Sequence, residues 1–200
     1  MKLYYSPGAC SLSPHIIIKE IGLPIAVEKV DLKNKVTASG EDFLKINSKG
    51  QVPAFEVSPG EVLTEGVAIV QYLSDLAPEK GLFPQGNGIA KYRQLELLNF
   101  ISTEIHKGFS PLWAPNLSDD ARKSAIEKLN SKFPLLEKNL SNSTYLMGES
   151  FTLADAYLFT VLSWANYVKV ELPIYLKNYL ARVSERPSVQ AALREEGLIK

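Results

Sequence analysis

The chain has 200 residues, 46% hydrophobic and 22% charged, enough apolar material for one large domain or two small ones with real cores. Its 22 basic side chains balance 22 acidic ones, so no surplus of positive charge exists to draw in nucleic acid or an anionic membrane. One cysteine excludes an intrachain disulfide and, with two histidines, argues against a cysteine-based zinc site, so no metal is expected.

No basic segment followed by an apolar one opens the chain, so it does not read as a secretory signal. The most apolar later segment, Tyr157 to Val168, is interrupted by Thr160, Ser163 and Asn166 and is too short to cross a bilayer. A cytoplasmic location and no membrane partner are the default expectation.

Lys2-Leu3-Tyr4-Tyr5 reads as a short strand that Ser6-Pro7-Gly8 breaks. Cys10 follows, then a helical run with Leu12, Ile16 and Ile17, which Ser11 or Ser13 would cap and Pro14 suits as first-turn residue. The only cysteine thus falls at a strand-to-helix turn, where unpaired N–H groups and the helix dipole favour a thiolate. A small buried hydrophobe is the alternative role for such a residue.

Ala26 to Val30 alternates like a strand, and Asp31 to Ser48 is polar and irregular, with a short helix at Glu41 to Ile46. Gly50-Gln51-Val52-Pro53 leads into Ala54-Phe55-Glu56-Val57, and Ser58-Pro59-Gly60 turns back into Glu61-Val62-Leu63 as an antiparallel hairpin. Val67, Ile69, Val70, Tyr72, Leu73 and Leu76 then recur at helical spacing. Residues 1–80 are therefore expected to form one α/β domain, and the Pro/Gly-rich segment 77–88 a linker. Residues 88–200 show no hairpin signal. They are expected to form an all-α domain, with helices at Ile89 to Phe109, Ser118 to Leu140, from Phe151, at Ile174 to Glu185 and at Ser188 to Glu195.

Four features stand out as candidate sites. The Val52-Pro53 bond, if cis, would turn the Val52 main chain outward to pair with an extended peptide; the base rate of about 5–6% favours trans from the residues alone. Glu65-Gly66 opens a helix whose N–H groups suit a carboxylate, with Glu65 for an ammonium, which together fit an amino-acid head group. The plainer role for Glu65 is to complement the helix dipole. His106 shares a stripe with Asn99 and Ser102 beside the apolar Leu95, Leu98, Ile101 and Ile105, so it can look into a cleft between domains and set the protonation of a thiol. Its plainer role is a packed histidine. Thr152 and Asp155 make a capping box with a structural role only, worth about 0.5–2 kcal/mol. Phe109, Trp113, Trp164 and Tyr167 could line a hydrophobic pocket or serve as core.

In this order and spacing, YYSPGACSLSPHI, NSKGQVPAF, LTEGVAIVQYLSD, LNFISTEIHKGFSPL and GESFTLADAYLFTVLSWA resemble a bacterial glutathione transferase of the beta class along the whole chain. The resemblance implies a thioredoxin-like N-terminal domain with a mixed sheet, a helical C-terminal domain, and a homodimer. It implies glutathione as substrate, bound across the domain boundary, with Cys10 and His106 beside its sulfur. Pro53 would be cis, Val52 would pair with the cysteinyl unit, Glu65 and Gly66 would hold the γ-glutamyl end, and Lys35 would face the glycyl carboxylate. Asn99, Thr103, Glu104, Ile105 and His106 would complete the site. Helical spacing points Glu104 away from that stripe, so it would act only on a ligand presented by a dimer partner. Tyr5 and Ser11 stand as other thiol activators.

The expected activity is conjugation of glutathione to hydrophobic electrophiles, in detoxification. Thiol–disulfide or peroxidase chemistry through a mixed disulfide at Cys10 is the alternative. A non-catalytic scaffold on the same fold is a third reading, against which the joint presence of Cys10, Glu65 and His106 argues.

Overall fold

The computed structural model describes all residues, Met1–Lys200. The chain divides into two compact units, 1–80 with 185–200, and 81–184.

The first unit is built on a mixed sheet in the order β3-β2-β1-β4-β5, from β1 (Lys2–Tyr5), β2 (Ala26–Asp31), β3 (Val36–Thr37), β4 (Ala54–Ser58) and β5 (Glu61–Thr64). β1 is central. Leu3 pairs with Val27 in parallel on one side and with Phe55 in antiparallel on the other. Leu3, Tyr4 and Tyr5 are all buried, as a strand covered on both faces requires. The β4–β5 hairpin forms as expected, with a bulge between Glu56 and Ser58. β3 was not expected: two residues pairing with Val30 and Asp31 leave too little periodicity to read in a polar stretch.

The helices of this unit are α1 (Leu12–Ile21), α2 (Phe43–Ile46), α3 (Gly66–Asp75) and α10 (Pro187–Glu195). α1 buries Leu12, Ile16, Ile17 and Ile18, and α3 buries Ile69, Val70 and Leu73. Burying each such side chain contributes about 1.5–3 kcal/mol of transfer free energy. The first unit takes residues 1–80 together with α10, which packs there rather than with the helical segment before it. Its contacts with α1 are made by residues far apart in sequence, which linear pattern cannot foresee.

The second unit is helical: α4 (Ile89–Phe100), a π-helical segment Ile101–His106, α5 (Lys107–Phe109), α6 (Asp119–Asn130), α7 (Phe133–Leu140), α8 (Leu153–Leu162) and α9 (Ile174–Ser184). Every residue of α8 is buried, as its nearly all-apolar sequence dictates. Two expected helices are interrupted. The stretch 118–140 breaks at Ser131 and Lys132, because Pro134 has no N–H to give the carbonyl four residues back and its ring crowds that carbonyl. The stretch 89–109 winds as a π-helix at 101–106; six residues are too few to separate that pitch from 3.6 by pattern. No helix is long and apolar enough to cross a membrane.

Candidate functional site

In the first unit the chain leaves β1 through a tight turn in which the Ala9 N–H bonds the Ser6 carbonyl at 3.0 Å. Ser11 is fully buried; its Oγ accepts from the Ser6 N–H at 3.1 Å and donates to the Ser6 carbonyl at 3.3 Å. It pins the turn backward instead of capping α1, and its hydroxyl is engaged there rather than aimed at a substrate thiol. Tyr5 is buried with its ring 5.5 Å from that of His15, and burial pushes its phenol up, followed by the charges of Glu196 and Glu195.

Cys10, half-buried, lies between that turn and α1, and its Sγ donates to the Val52 carbonyl at 3.2 Å. That bond uses the thiol's own proton, so in this geometry the sulfur is a donor, whereas the sequence favoured a thiolate. The Val52–Pro53 bond is cis, as the resemblance implied and against the base rate for the residues alone. A Cβ placed on Gly66 would sit 3.8 Å from Pro53 Cγ, so Pro53 stands beside the start of α3. An alanine would fit at 66, so protein packing alone does not demand this glycine.

Glu65 precedes α3 with φ 71° and ψ 117°, a region L-residues rarely occupy. Such strain costs on the order of 1–3 kcal/mol and clusters at functional positions. Its carboxylate meets Lys49 Nζ at 2.6 Å, and Lys49 also donates to Thr64 Oγ1 at 2.9 Å. The pair is exposed, so separating Lys49 from Glu65 costs only about 0–1 kcal/mol. Sequence reasoning missed Lys49, although it stands inside the quoted NSKGQVPAF. Lys35, at φ 56°, donates from Nζ to the Gly50 carbonyl at 2.7 Å, at the head of the loop that carries Val52. Cys10, Lys35, Val52, Pro53, Glu65 and Gly66 therefore fall on one connected set of loops.

In the helical unit His106 is half-buried. Its Nδ1 lies 2.7 Å from the Tyr157 hydroxyl, and its ring packs edge-on to Trp164 at 4.9 Å. Burial, then the neighbouring Lys107 charge, lowers its pKa to about 4, so the ring is neutral near pH 7. A neutral imidazole joined to Tyr157 through Nδ1 keeps Nε2 for a donor or acceptor role set by the tautomer. Sequence reasoning also missed Tyr157, 51 residues away, although it stands inside the quoted GESFTLADAYLFTVLSWA.

The remaining expected residues divide by exposure. Asn99 and Thr103 are exposed, and Thr103 Oγ1 donates to the Asn99 carbonyl at 3.0 Å. Glu104 pairs with Lys132 at 2.8 Å, which holds its carboxyl below the usual range. Ile105 and Phe109 are fully enclosed, so as side chains they are core and offer no wall to a ligand. Trp164 is buried and touched by Phe109 at 5.9 Å and Trp113 at 6.3 Å, while Trp113 and Tyr167 are exposed at 51% and 71%. Of the expected pocket, only those two present large apolar surface.

Asp155 accepts from Thr152 N–H (2.9 Å), Thr152 Oγ1 (2.7 Å), Leu146 N–H (2.9 Å) and Tyr179 OH (3.1 Å). The capping residue is thus also the hub that joins α8 to α9 and to the segment before α8.

Residues 1–75 match the family model described as "Glutathione S-transferase, N-terminal domain", and residues 100–187 that described as "Glutathione S-transferase, C-terminal domain". The chain is 44% identical to the glutathione S-transferase GstA of Escherichia coli O157:H7, over 99% of this chain and 100% of that one. Among solved structures it resembles the bacterial transferase BphK in a ternary complex, with TM-score 0.95 and 46% identity over 98% and 100% of the two chains. It also resembles a sphingomonad glutathione S-transferase complexed with glutathione (TM-score 0.93, 43% identity, all of both chains). The beta-class transferase of Sphingomonas chungbukensis gives TM-score 0.93 and 41% identity over all of both chains.

Proposed function

The chain belongs to the glutathione S-transferase family, and from that premise we propose which of its residues hold glutathione and how its sulfur is made to react. The activity is conjugation of reduced glutathione. The γ-glutamyl carboxylate takes the N–H groups that open α3 at Gly66, and its ammonium takes the Glu65 carboxylate in place of Lys49. The cysteinyl unit pairs with the Val52 main chain beside cis-Pro53, and Lys35 turns from Gly50 to the glycyl carboxylate. The sulfur comes to rest by Cys10. There the donor and the α1 N-terminus favour its thiolate, which then attacks the electrophile and forms the carbon–sulfur bond as the leaving group departs. In the helical unit we assign His106 to the ligand as a neutral ring acting through Nε2, with Asn99, Thr103 and the Ile105 main chain, and Glu104 to a ligand presented by a dimer partner. Trp113 and Tyr167 receive a hydrophobic electrophile, with Trp164 behind Trp113.

The observation that carries this reading is the short bond from Cys10 to the main chain of Val52, the residue bonded through the cis peptide to Pro53. The test is retention on immobilised glutathione. The intact chain is expected to bind and Glu65→Ala to bind weakly; equal retention of both removes Glu65 from the site.

The same bond favours a second reading, because a sulfur on a peptide-pairing loop can exchange with a disulfide. The Cys10 thiolate would attack the glutathione sulfur of a disulfide between glutathione and a substrate thiol, forming a mixed disulfide with glutathione and expelling the substrate thiolate; a second glutathione thiolate would attack that mixed disulfide, freeing Cys10 and leaving as glutathione disulfide. Intact mass after disulfide treatment should show one adduct, absent in Cys10→Ala. We place the protein in the cytoplasm, in detoxification, as a homodimer. Exposed Ile89 (70%) and Tyr92 (54%) on α4 offer apolar surface for a partner. Sedimentation showing only a 22.2 kDa species at micromolar concentration would contradict the dimer.

A further inference from the structure

α1 and α10 run antiparallel and are tied at both ends. At one end Glu20 accepts from Arg186 Nη2 at 2.6 Å and from Ser188. At the other, His15 Nδ1 lies 2.9 Å from Glu196 Oε1 and Nε2 lies 2.9 Å from Glu195 Oε2, which Lys19 also meets. The side chains of His15 and Glu196 have no exposed area. The second oxygen of Glu196 accepts the Gly8 N–H at 2.8 Å. One buried carboxylate therefore joins the end of α10, the first turns of α1 and the β1–α1 turn.

The segment after α10 adds a second grip. Gly197, at φ 72°, reverses the chain, and the Leu198 N–H returns to the Leu193 carbonyl at 2.9 Å. This seats Leu198 on the turn: its Cδ2 lies 3.6 Å from where a Cβ on Gly8 would be. Gly8, at φ 70°, is the one residue of the turn that needs left-handed backbone. Ala9 and Ser11 are already bonded to Ser6, so fixing Gly8 removes most of the turn's remaining freedom. Cys10 is two residues on.

We propose that Glu196 is a positioning residue for Cys10, and that the α10 terminus, Glu196 to Leu198, is a clamp that sets the sulfur against Val52. For turnover this rests on the reading that glutathione reacts at Cys10; for Cys10 itself it does not. The clamp explains why the last helix packs with the first unit.

The test uses the full-length chain with Glu196→Ala, Glu196→Gln and Leu198→Ala, reading Cys10 alkylation by iodoacetamide against pH, kcat and KM for glutathione, and the urea midpoint. Glu196→Ala removes the acceptor for Gly8 and is expected to displace the alkylation profile and lower kcat about tenfold, since small misplacements of reacting groups cost that much or more. KM for glutathione should stay within about threefold, because Glu65, Gly66 and Lys35 are untouched. Glu196→Gln keeps an oxygen for Gly8 and should restore both readouts. Leu198→Ala loosens the turn without disturbing a buried charge and should move the profile in the same direction, so it decides the matter if Glu196→Ala does not fold. A lowered urea midpoint with alkylation and kcat unchanged in Leu198→Ala and in folded Glu196→Ala overturns the proposal. An altered alkylation profile with unchanged turnover upholds the clamp and removes Cys10 from the reaction.

Discussion

His106 Nδ1 and the Tyr157 hydroxyl oxygen are 2.7 Å apart, on the π-helical segment and on α8. If the hydroxyl donates to Nδ1, the ring proton sits on Nε2, which can then donate a hydrogen bond; if Nδ1 donates, Nε2 can only accept. Tyr157→Phe removes that choice and leaves a half-buried nitrogen unpaired. It should cost about 1–3 kcal/mol in urea unfolding. It should also change the ring's proton distribution, read from histidine nitrogen shifts. Unaltered shifts and stability would mean the bond does not fix the ring.

His106 also gives the protein a pH signature. Its folded pKa of about 4 lies below the unfolded value of 6.5, so between these the unfolded chain binds more protons. Stability from this group is full above pH 6.5 and is lost as pH falls toward 4, by on the order of 3 kcal/mol. Comparing wild type with His106→Gln across pH 4–7 should show the larger loss in the wild type, the excess falling between pH 6.5 and 4. A ring titrating near 6.5 in the folded protein would contradict it.

Glu28 acts in the same direction at lower pH. Burial raises its carboxyl, but hydrogen bonds from Lys2 (2.8 Å) and Ser39 outweigh that and bring it to about 2. Its contribution is complete above pH 4.5 and disappears as pH falls through 2. Glu28→Gln should flatten acid unfolding in that window, read by circular dichroism.

Glu65 and Lys49 separate strain from binding. Glu65→Gly relieves the positive φ and should be about 1 kcal/mol more stable than Glu65→Ala, while both lose glutathione affinity by about tenfold. Lys49→Ala removes a competitor for the carboxylate, so it should leave stability within about 1 kcal/mol and not weaken glutathione. Loss of binding in Lys49→Ala would instead assign the head-group carboxylate to Lys49.

Much of this was legible in the chain because it is local. The β4–β5 hairpin followed from a Ser-Pro-Gly turn between apolar runs, and the Thr152–Asp155 cap from spacing three. What escaped was non-local or of unfamiliar pitch. Asp155 reads as a cap of about 0.5–2 kcal/mol, yet it also accepts from Leu146 and Tyr179, so Asp155→Ala should cost about 3 kcal/mol or more. The π-segment shifted the register on which the Asn99–His106 stripe was drawn. The placement of α10 depends on pairs such as His15 with Glu196, 181 residues apart.

The most direct measurement is calorimetric titration of reduced glutathione into the full-length chain and into Glu65→Ala. The account expects saturable binding at one site per chain in the first and binding about tenfold weaker in the second. No saturable heat in the intact chain, or equal affinity in both, would contradict it.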